Sequence, residues 1–184
     1  PRSAASMTLA DEIDPKTTEF RLTVLSMNST DYTRRGGGLA VRQPIKEVKK
    51  FLKYAEKKLK AGKRLENFEQ TIYKNISVVK RAIDIVEKQS PLFFGLPHCG
   101  NYPRLYELCS LIVKGNGGYA DKTSLQSAVN IFNEHSPLLY CEILALKAML
   151  TFCAIEQIAV LCAKSEQLSN IVARADYDAE RERI

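Results

Sequence analysis

Residues 41–65 read VRQPIKEVKKFLKYAEKKLKAGKRL, and they hold most of the positive charge of the chain. Between Arg42 and Arg64 there are ten basic residues and two acids, a net charge of +8, whereas the whole chain carries +6, so the remainder is −2. On an α-helix, at about 100° per residue, six lysines fall within about 100° of arc. These six residues, which we call the lysine stripe, are Lys46, Lys49, Lys50, Lys53, Lys57 and Lys60.

An apolar arc lies apart from the lysine stripe on the same predicted helix. It consists of Ile45, Val48, Leu52, Ala55 and Leu59. The pattern predicts an amphipathic helix that packs through one side and presents a row of ammonium groups about 21 Å long on the other.

The sign of the charges favours an anionic partner over a simple solvated face, which is the ordinary explanation of a charged helix. Lysines four residues apart repel each other, and Glu47 and Glu56 are placed off the stripe. We expect the stripe to contact phosphates. We expect the site to extend to basic residues near it in sequence or on the next helix, namely Arg34, Arg35, Arg42, Lys63, Arg64 and Arg81.

The N-terminal region, residues 7–90, is predicted to be helical and to contain a basic hairpin. Asp14-Pro15 begins a first helix whose Phe20, Val24 and Met27 are expected to face inward. Gln43-Pro44 begins the basic helix and Gly62 ends it. Apolar residues at steps of three and four then predict one helix from about 64 to 89, antiparallel to the basic helix.

The C-terminal region, residues 91–184, is predicted to be an apolar helical half, either separate or part of one compact unit. The segment 90–103 should be a packed connector that buries Leu92, Phe93, Phe94 and Leu96. Further helices are expected from Pro103, after an Asp121 or Thr123 cap, from Ser136-Pro137 to about Ala163, and over 167–175. Because nothing alternates with period two for long, the fold class is all-α, a helical bundle. Residues 1–6, before Met7, are expected to be an extraneous extension.

Composition limits the classes of protein. The chain has 184 residues, is 45% apolar and has a sequence pI of about 9.1. This suits a folded domain that binds nucleic acid or another polyanion. Five cysteines without a CxxC pair indicate reduced thiols, so we expect a cytoplasmic protein. We find no secretory signal, and no uncharged run long enough to predict insertion into a membrane.

Catalytic and metal-binding patterns are weak by comparison. Lys122-Thr123 follows a glycine cluster, but Asp121 and Asn116 stand where a phosphate-binding loop needs glycine. His98, Cys99, Cys109, His135 and Cys141 match no zinc spacing. A thiol enzyme using Cys99 with His98 or His135 lacks an orienting third group. We therefore expect no catalytic residue, metal or cofactor.

The layout as a whole resembles a known family. The hairpin bearing KEVKK (46–50) and KYAEKK (53–58), the aromatic Pro/Gly connector and the apolar helical half are similar to the small RNA-silencing suppressors of closteroviruses. The resemblance covers most of residues 7–184. It implies two helical halves per subunit, a homo-oligomeric ring with a basic inner surface, and binding of small RNAs with little sequence preference, which withholds them from the host's silencing machinery.

Residues and resemblance together predict a viral RNA-binding protein of the host cytoplasm that sequesters small RNAs through backbone contacts, without catalysis. The alternative is a helical adaptor or scaffold whose lysine stripe binds an acidic protein. Attachment to an anionic membrane surface through the same lysines is a third possibility.

Overall fold

Helices make up most of the molecule, and the predicted all-α class is confirmed. The computed structural model describes residues 15–34, 39–115 and 121–181, with side chains for 18–33, 39–115 and 121–164; it is 77% helical. The helices are α1 (Pro15–Asn28), α2 (Arg42–Lys60), α3 (Asn67–Lys74), α4 (Ile76–Gln89), α5 (Arg104–Gly115), α6 (Lys122–Asn133) and α7 (Tyr140–Arg181). A 3₁₀ turn (Ser90–Phe93) and the strands β1 (Thr33–Arg34), β2 (Pro97–Cys99) and β3 (Tyr102–Pro103) complete the described elements.

Helix α2 has the amphipathic form that its sequence predicts. Its buried residues are Ile45, Val48, Phe51, Leu52 and Ala55. Gly62 follows the helix at φ +70°, and the Lys63 N–H donates to the Lys58 carbonyl over 3.0 Å. This is the usual C-terminal use of glycine, as predicted. Leu59, expected on the apolar arc, is 40% exposed, so the last turn of α2 extends past the core.

The single helix predicted over residues 64–89 is wrong, because Asn75 divides it into α3 and α4. The Asn75 side-chain amide donates to the Thr71 carbonyl over 2.9 Å, and its backbone N–H donates to the Ile72 carbonyl over 3.1 Å. Asparagine competes in this way with regular helical bonding. The regular apolar spacing on both sides of Asn75 concealed the break.

Helix α7 is the centre of the fold. It runs for 42 residues, so the two shorter helices predicted here are wrong. No glycine or proline interrupts its sequence. It packs against α2, α4 and α5 and buries Ala145, Ala148, Met149 and Phe152. Buried residues from both predicted regions therefore belong to one hydrophobic core.

Part of α7 also has the length and composition of a membrane span. An 18-residue window within Tyr140–Lys164 has a mean hydropathy of 1.8, and 39% of the residues in that window are buried. The central helix of a globular bundle has the same composition. Helix α7 shows the packing of a core helix through the residues that it buries against α2, α4 and α5.

Helix α1 packs through a different face from the one predicted. It contacts α5 and α6 through the side that carries Leu22 and Ser26, both buried. The Ser26 hydroxyl donates to the Phe132 carbonyl over 2.6 Å. Phe20, Val24 and Met27, predicted to face inward, are 68%, 38% and 52% exposed. The apolar pattern pointed to the wrong face because serine on the buried face bonds to the backbone of α6.

The connector between the two regions is packed, but only in part. Phe93 and Leu96 are buried as predicted, whereas Leu92 and Phe94 are 40% and 65% exposed. It also contributes two strands to a small antiparallel sheet with the order β1–β2–β3. Strands of two or three residues are too short to show a period-two pattern, so the sequence did not predict them.

A buried ion pair joins the ends of several elements. Arg104, at the start of α5, and Glu142, in the first turn of α7, are 1% and 0% exposed. The guanidinium meets the carboxylate through two bonds, Nε to Oε1 at 2.9 Å and Nη2 to Oε2 at 2.6 Å. Arg104 also donates to the Ser29 and Pro137 carbonyls and to the Ser136 hydroxyl. It thus fixes the end of α1 against the starts of α5 and α7.

Candidate nucleic-acid interface

The lysine stripe lies on the surface of α2, opposite the residues that pack on the core. All six stripe lysines are exposed, and the side chain of Lys60 reaches 76% exposure. Since the helix is anchored through its apolar side, the row of ammonium groups is held in a fixed order along about 21 Å.

A groove runs beside the N-terminal half of α2 and the C-terminal end of α4. Its volume is about 630 Å³. It is lined by Val41, Arg42, Ile45, Lys46, Lys49, Lys50, Lys53, Glu87 and Ser90. Four stripe lysines and Arg42 therefore meet in one concave surface. The N-terminus of α2 lies at this groove, where the helix dipole also favours negative charge.

Helix α4 lies alongside α2 in the opposite direction. Lys49 Nζ, early in α2, contacts Glu87 Oε1, late in α4, at 2.6 Å. At the other ends of the two helices, the charge of Lys80 contributes to lowering the pKa of Glu56. The antiparallel arrangement agrees with the predicted hairpin. The connection, however, includes all of α3, and both helices pack on α7.

Carboxylates neutralise part of the stripe, although the sequence suggested that acids stay off it. Glu56 reaches Lys60 at 3.0 Å along α2, and Glu87 reaches Lys49 from α4. The hydrogen bond and charge of Lys60, with a smaller contribution from Lys80, lower the pKa of Glu56. The interface is therefore a mixed surface with a large excess of cations.

Lys58 does not belong to the exposed surface. It contacts the fully buried Glu69 at 2.8 Å, and its side chain is 17% exposed. The hydrogen bond to Glu69 raises the pKa of Lys58, against the effect of burial. Its position on the side of α2 that meets α3 makes it a structural lysine.

Among the described residues, most of the other predicted contacts lie outside the groove lining. Arg42 lines it, whereas Lys57 and Lys60 lie beyond its lining residues. Lys63, Arg64 and Arg81 are exposed, the first two in the segment after α2 and the third on α4. Arg34 pairs through its backbone with Pro97 in the small sheet. Its side chain, and all of Arg35, lie outside the described residues.

Sequence reasoning named Arg81 of α4 but missed Lys80 and Glu87 on the same helix. Lys80 and Glu87 are seven residues apart, so they lie on one face of α4, the face beside α2. That spacing could have indicated a shared surface only if α4 had already been known to lie beside α2. Nothing in the sequence around Ser90 indicated that it would line the groove.

The residues considered for a metal site or a thiol enzyme do not form a common site. In the described part of the chain, no group of three or more His, Cys, Asp and Glu side chains could hold a metal ion. Cys99 Sγ lies 3.0 Å from the Asn28 carbonyl, and His98 Nδ1 lies 2.8 Å from the Leu96 carbonyl, so both bond to the backbone. All five cysteines are free; burial raises the pKa of the Cys109 thiol, and that of Cys162 to about 12.

Comparisons of the chain with protein-family models, with curated proteins and with solved structures found no match. Function is therefore inferred from the residues of the groove and the stripe.

Proposed function

We propose that this protein binds RNA without reading its sequence and acts by sequestering small RNAs, as a viral suppressor of RNA silencing in the host cytoplasm. The observation that carries the proposal is the convergence of Arg42 and four stripe lysines on one groove, in line with the exposed Lys57 and Lys60. Lysine contacts to phosphate supply affinity and position, but they do not distinguish bases.

The exposed apolar side chains of α1 support assembly into a homo-oligomer within this proposal. Phe20 and Met27 are more than half exposed on a helix whose other face is buried. A sequestering protein gains from assembly because several stripes can hold one RNA at the same time.

The salt dependence of binding tests the RNA-binding proposal. Affinity for a labelled 21-nucleotide RNA is measured by fluorescence anisotropy between 50 and 300 mM salt. If about six phosphates are neutralised, log affinity falls with log salt with a slope of about 5. A slope below about 1 would overturn the proposal.

Two quadruple variants locate the contacts. Replacing Lys46, Lys49, Lys50 and Lys53 by Gln should lower the slope by roughly 3 to 4, or about one unit per phosphate contact. The matched control replaces four other exposed lysines, Lys74, Lys122, Lys147 and Lys164, which gives the same net charge. Equal losses in the two variants would show that total charge, and not the groove, determines binding.

Sequestration is tested by competition. Purified protein is added to a silencing extract with a labelled guide RNA, and target cleavage is measured with increasing amounts of protein. We expect the protein to inhibit cleavage, and we expect a fresh excess of small RNA to reverse that inhibition. Inhibition that added RNA does not relieve would favour the adaptor, which binds an acidic protein instead.

A further inference from the structure

The groove has a composition that phosphate binding alone does not explain. Beside its five cationic side chains it is lined by the half-buried Val41, by the edge of the core residue Ile45, which is 4% exposed, and by the carboxylate of Glu87. An apolar wall offers no hydrogen-bond donor to a phosphate, and a carboxylate repels it. These three residues therefore indicate which part of a nucleotide enters the groove.

The apolar wall suits an unpaired base. A volume of about 630 Å³ is within the range of sites for small ligands. In a duplex the bases are stacked inside the helix and the backbone is outside, so only phosphate and sugar reach such a groove. In a single strand the base is free to turn its flat face to apolar side chains, while its phosphates contact the lysines.

The carboxylate suits a ribose hydroxyl. An ionised carboxylate only accepts hydrogen bonds, and the 2′-hydroxyl is the donor that RNA has and DNA lacks. Glu87 is 45% exposed and is held by Lys49 through one oxygen, Oε1, over 2.6 Å. Ser90 donates its hydroxyl to the Glu87 backbone carbonyl over 3.2 Å, which leaves its oxygen lone pairs as acceptors.

We infer that the groove holds one unpaired ribonucleotide, with its base against Val41 and the edge of Ile45, its phosphates among the lysines and its 2′-hydroxyl on Glu87. The inference rests on the proposed function and gives it a substrate class, single-stranded RNA. The competing explanation is that Glu87 is an ordinary interhelical partner of Lys49.

The experiment compares three labelled 21-mers at one salt concentration: single-stranded RNA, single-stranded DNA of the same sequence, and duplex RNA. Single-stranded RNA should bind about 10-fold more tightly than the DNA, the effect of one hydrogen bond to a charged group. Glu87→Met should abolish this preference, mainly by tightening DNA binding, because Lys49 is released.

Glu56→Met is the matched control, since Glu56 also pairs with a stripe lysine but does not line the groove. It should tighten RNA and DNA equally and leave their ratio unchanged. Circular dichroism and the unfolding midpoint establish that both variants are folded, as expected for exposed positions.

The possible outcomes separate the two proposals. Three results would overturn this inference: equal binding of RNA and DNA, tighter binding of the duplex, or the same change in the RNA-to-DNA affinity ratio for Glu87→Met and Glu56→Met. If the salt dependence is nevertheless steep, the proposed function still stands. Failure to bind any of the three 21-mers, or a slope below about 1, overturns the proposed function itself.

Discussion

Arg104 and Glu142 form the most deeply buried ion pair among the described residues. A buried pair is often no better for stability than apolar residues of the same size, because both charges lose their hydration. Loss of one partner is different, since it leaves the other charge buried and alone. Arg104 also satisfies the Ser29 and Pro137 carbonyls, so its removal leaves those acceptors without that donor.

Arg104→Met should lower the free energy of unfolding by about 3 to 5 kcal/mol, the usual cost of breaking a buried pair from one side. Urea denaturation followed by circular dichroism measures it. The control Arg81→Met, at an exposed position on α4, should change stability by about 0.5 kcal/mol or less.

Adding Glu142→Leu to Arg104→Met should recover part of the loss, because the stranded carboxylate is removed as well. The opposite result would be a double variant whose free energy of unfolding is well below that of Arg104→Met. It would show that the carboxylate stabilises the protein independently of Arg104.

At the scale of single elements, helices were predicted well where one strong pattern acted alone. The limits of α2 followed from its apolar arc and Gly62, and Asp121 caps α6 by accepting the Ser124 N–H over 2.8 Å. Two predictions failed where a polar side chain decided the local structure: Asn75 breaks a regular apolar repeat, and Ser26 turns the polar side of α1 inward. Such bonds depend on which backbone carbonyl is nearby, and apolar spacing does not contain that information.

The end of α2 offers a test at this scale. Gly62→Ala should destabilise the protein by about 1 to 2 kcal/mol, because a Cβ is unfavourable at φ +70°. Apart from Gly62 and its chain neighbours, no atom of the described residues lies within 4 Å of the added Cβ, so the loss measures backbone conformation alone.

Gly62→Asn is the informative comparison, since asparagine tolerates this conformation better than alanine. Urea midpoints should follow the order glycine, asparagine, alanine. An alanine variant as stable as the parent protein would mean that the backbone after Lys60 takes another conformation in solution.

At the scale of the whole molecule, α7 positions the candidate site, although none of its residues with described side chains (140–164) lines the groove. The lysine stripe could be predicted from sequence because all its members lie on one helix. The groove could not, since it requires α4 to lie beside α2, and both are placed there by packing on α7. Glu87 and Lys80 join the surface only through that tertiary arrangement.

Phe152→Ala tests this dependence on α7. The ring is 1% exposed and lies 6.2 Å from the rings of both Phe93 and Tyr106. The loss should be about 3 to 5 kcal/mol. Helical circular dichroism and tyrosine fluorescence should report one shared transition, because a single core includes residues of both regions.

The control Val160→Ala, at a position 51% exposed on the same helix, should cost about 0.5 kcal/mol or less. Two separate transitions in the parent protein or in Phe152→Ala would show that residues before and after the connector unfold independently.

The mutual dependence of Arg104 and Glu142 restricts how this sequence can evolve. A lineage that replaces either residue first must pass through a protein that has lost a large share of a typical domain's stability, and selection removes such intermediates. Descendants of this chain should therefore keep both residues or have exchanged both. Correlated replacement of Arg104 and Glu142 in descendant sequences would reflect the contact between α5 and α7.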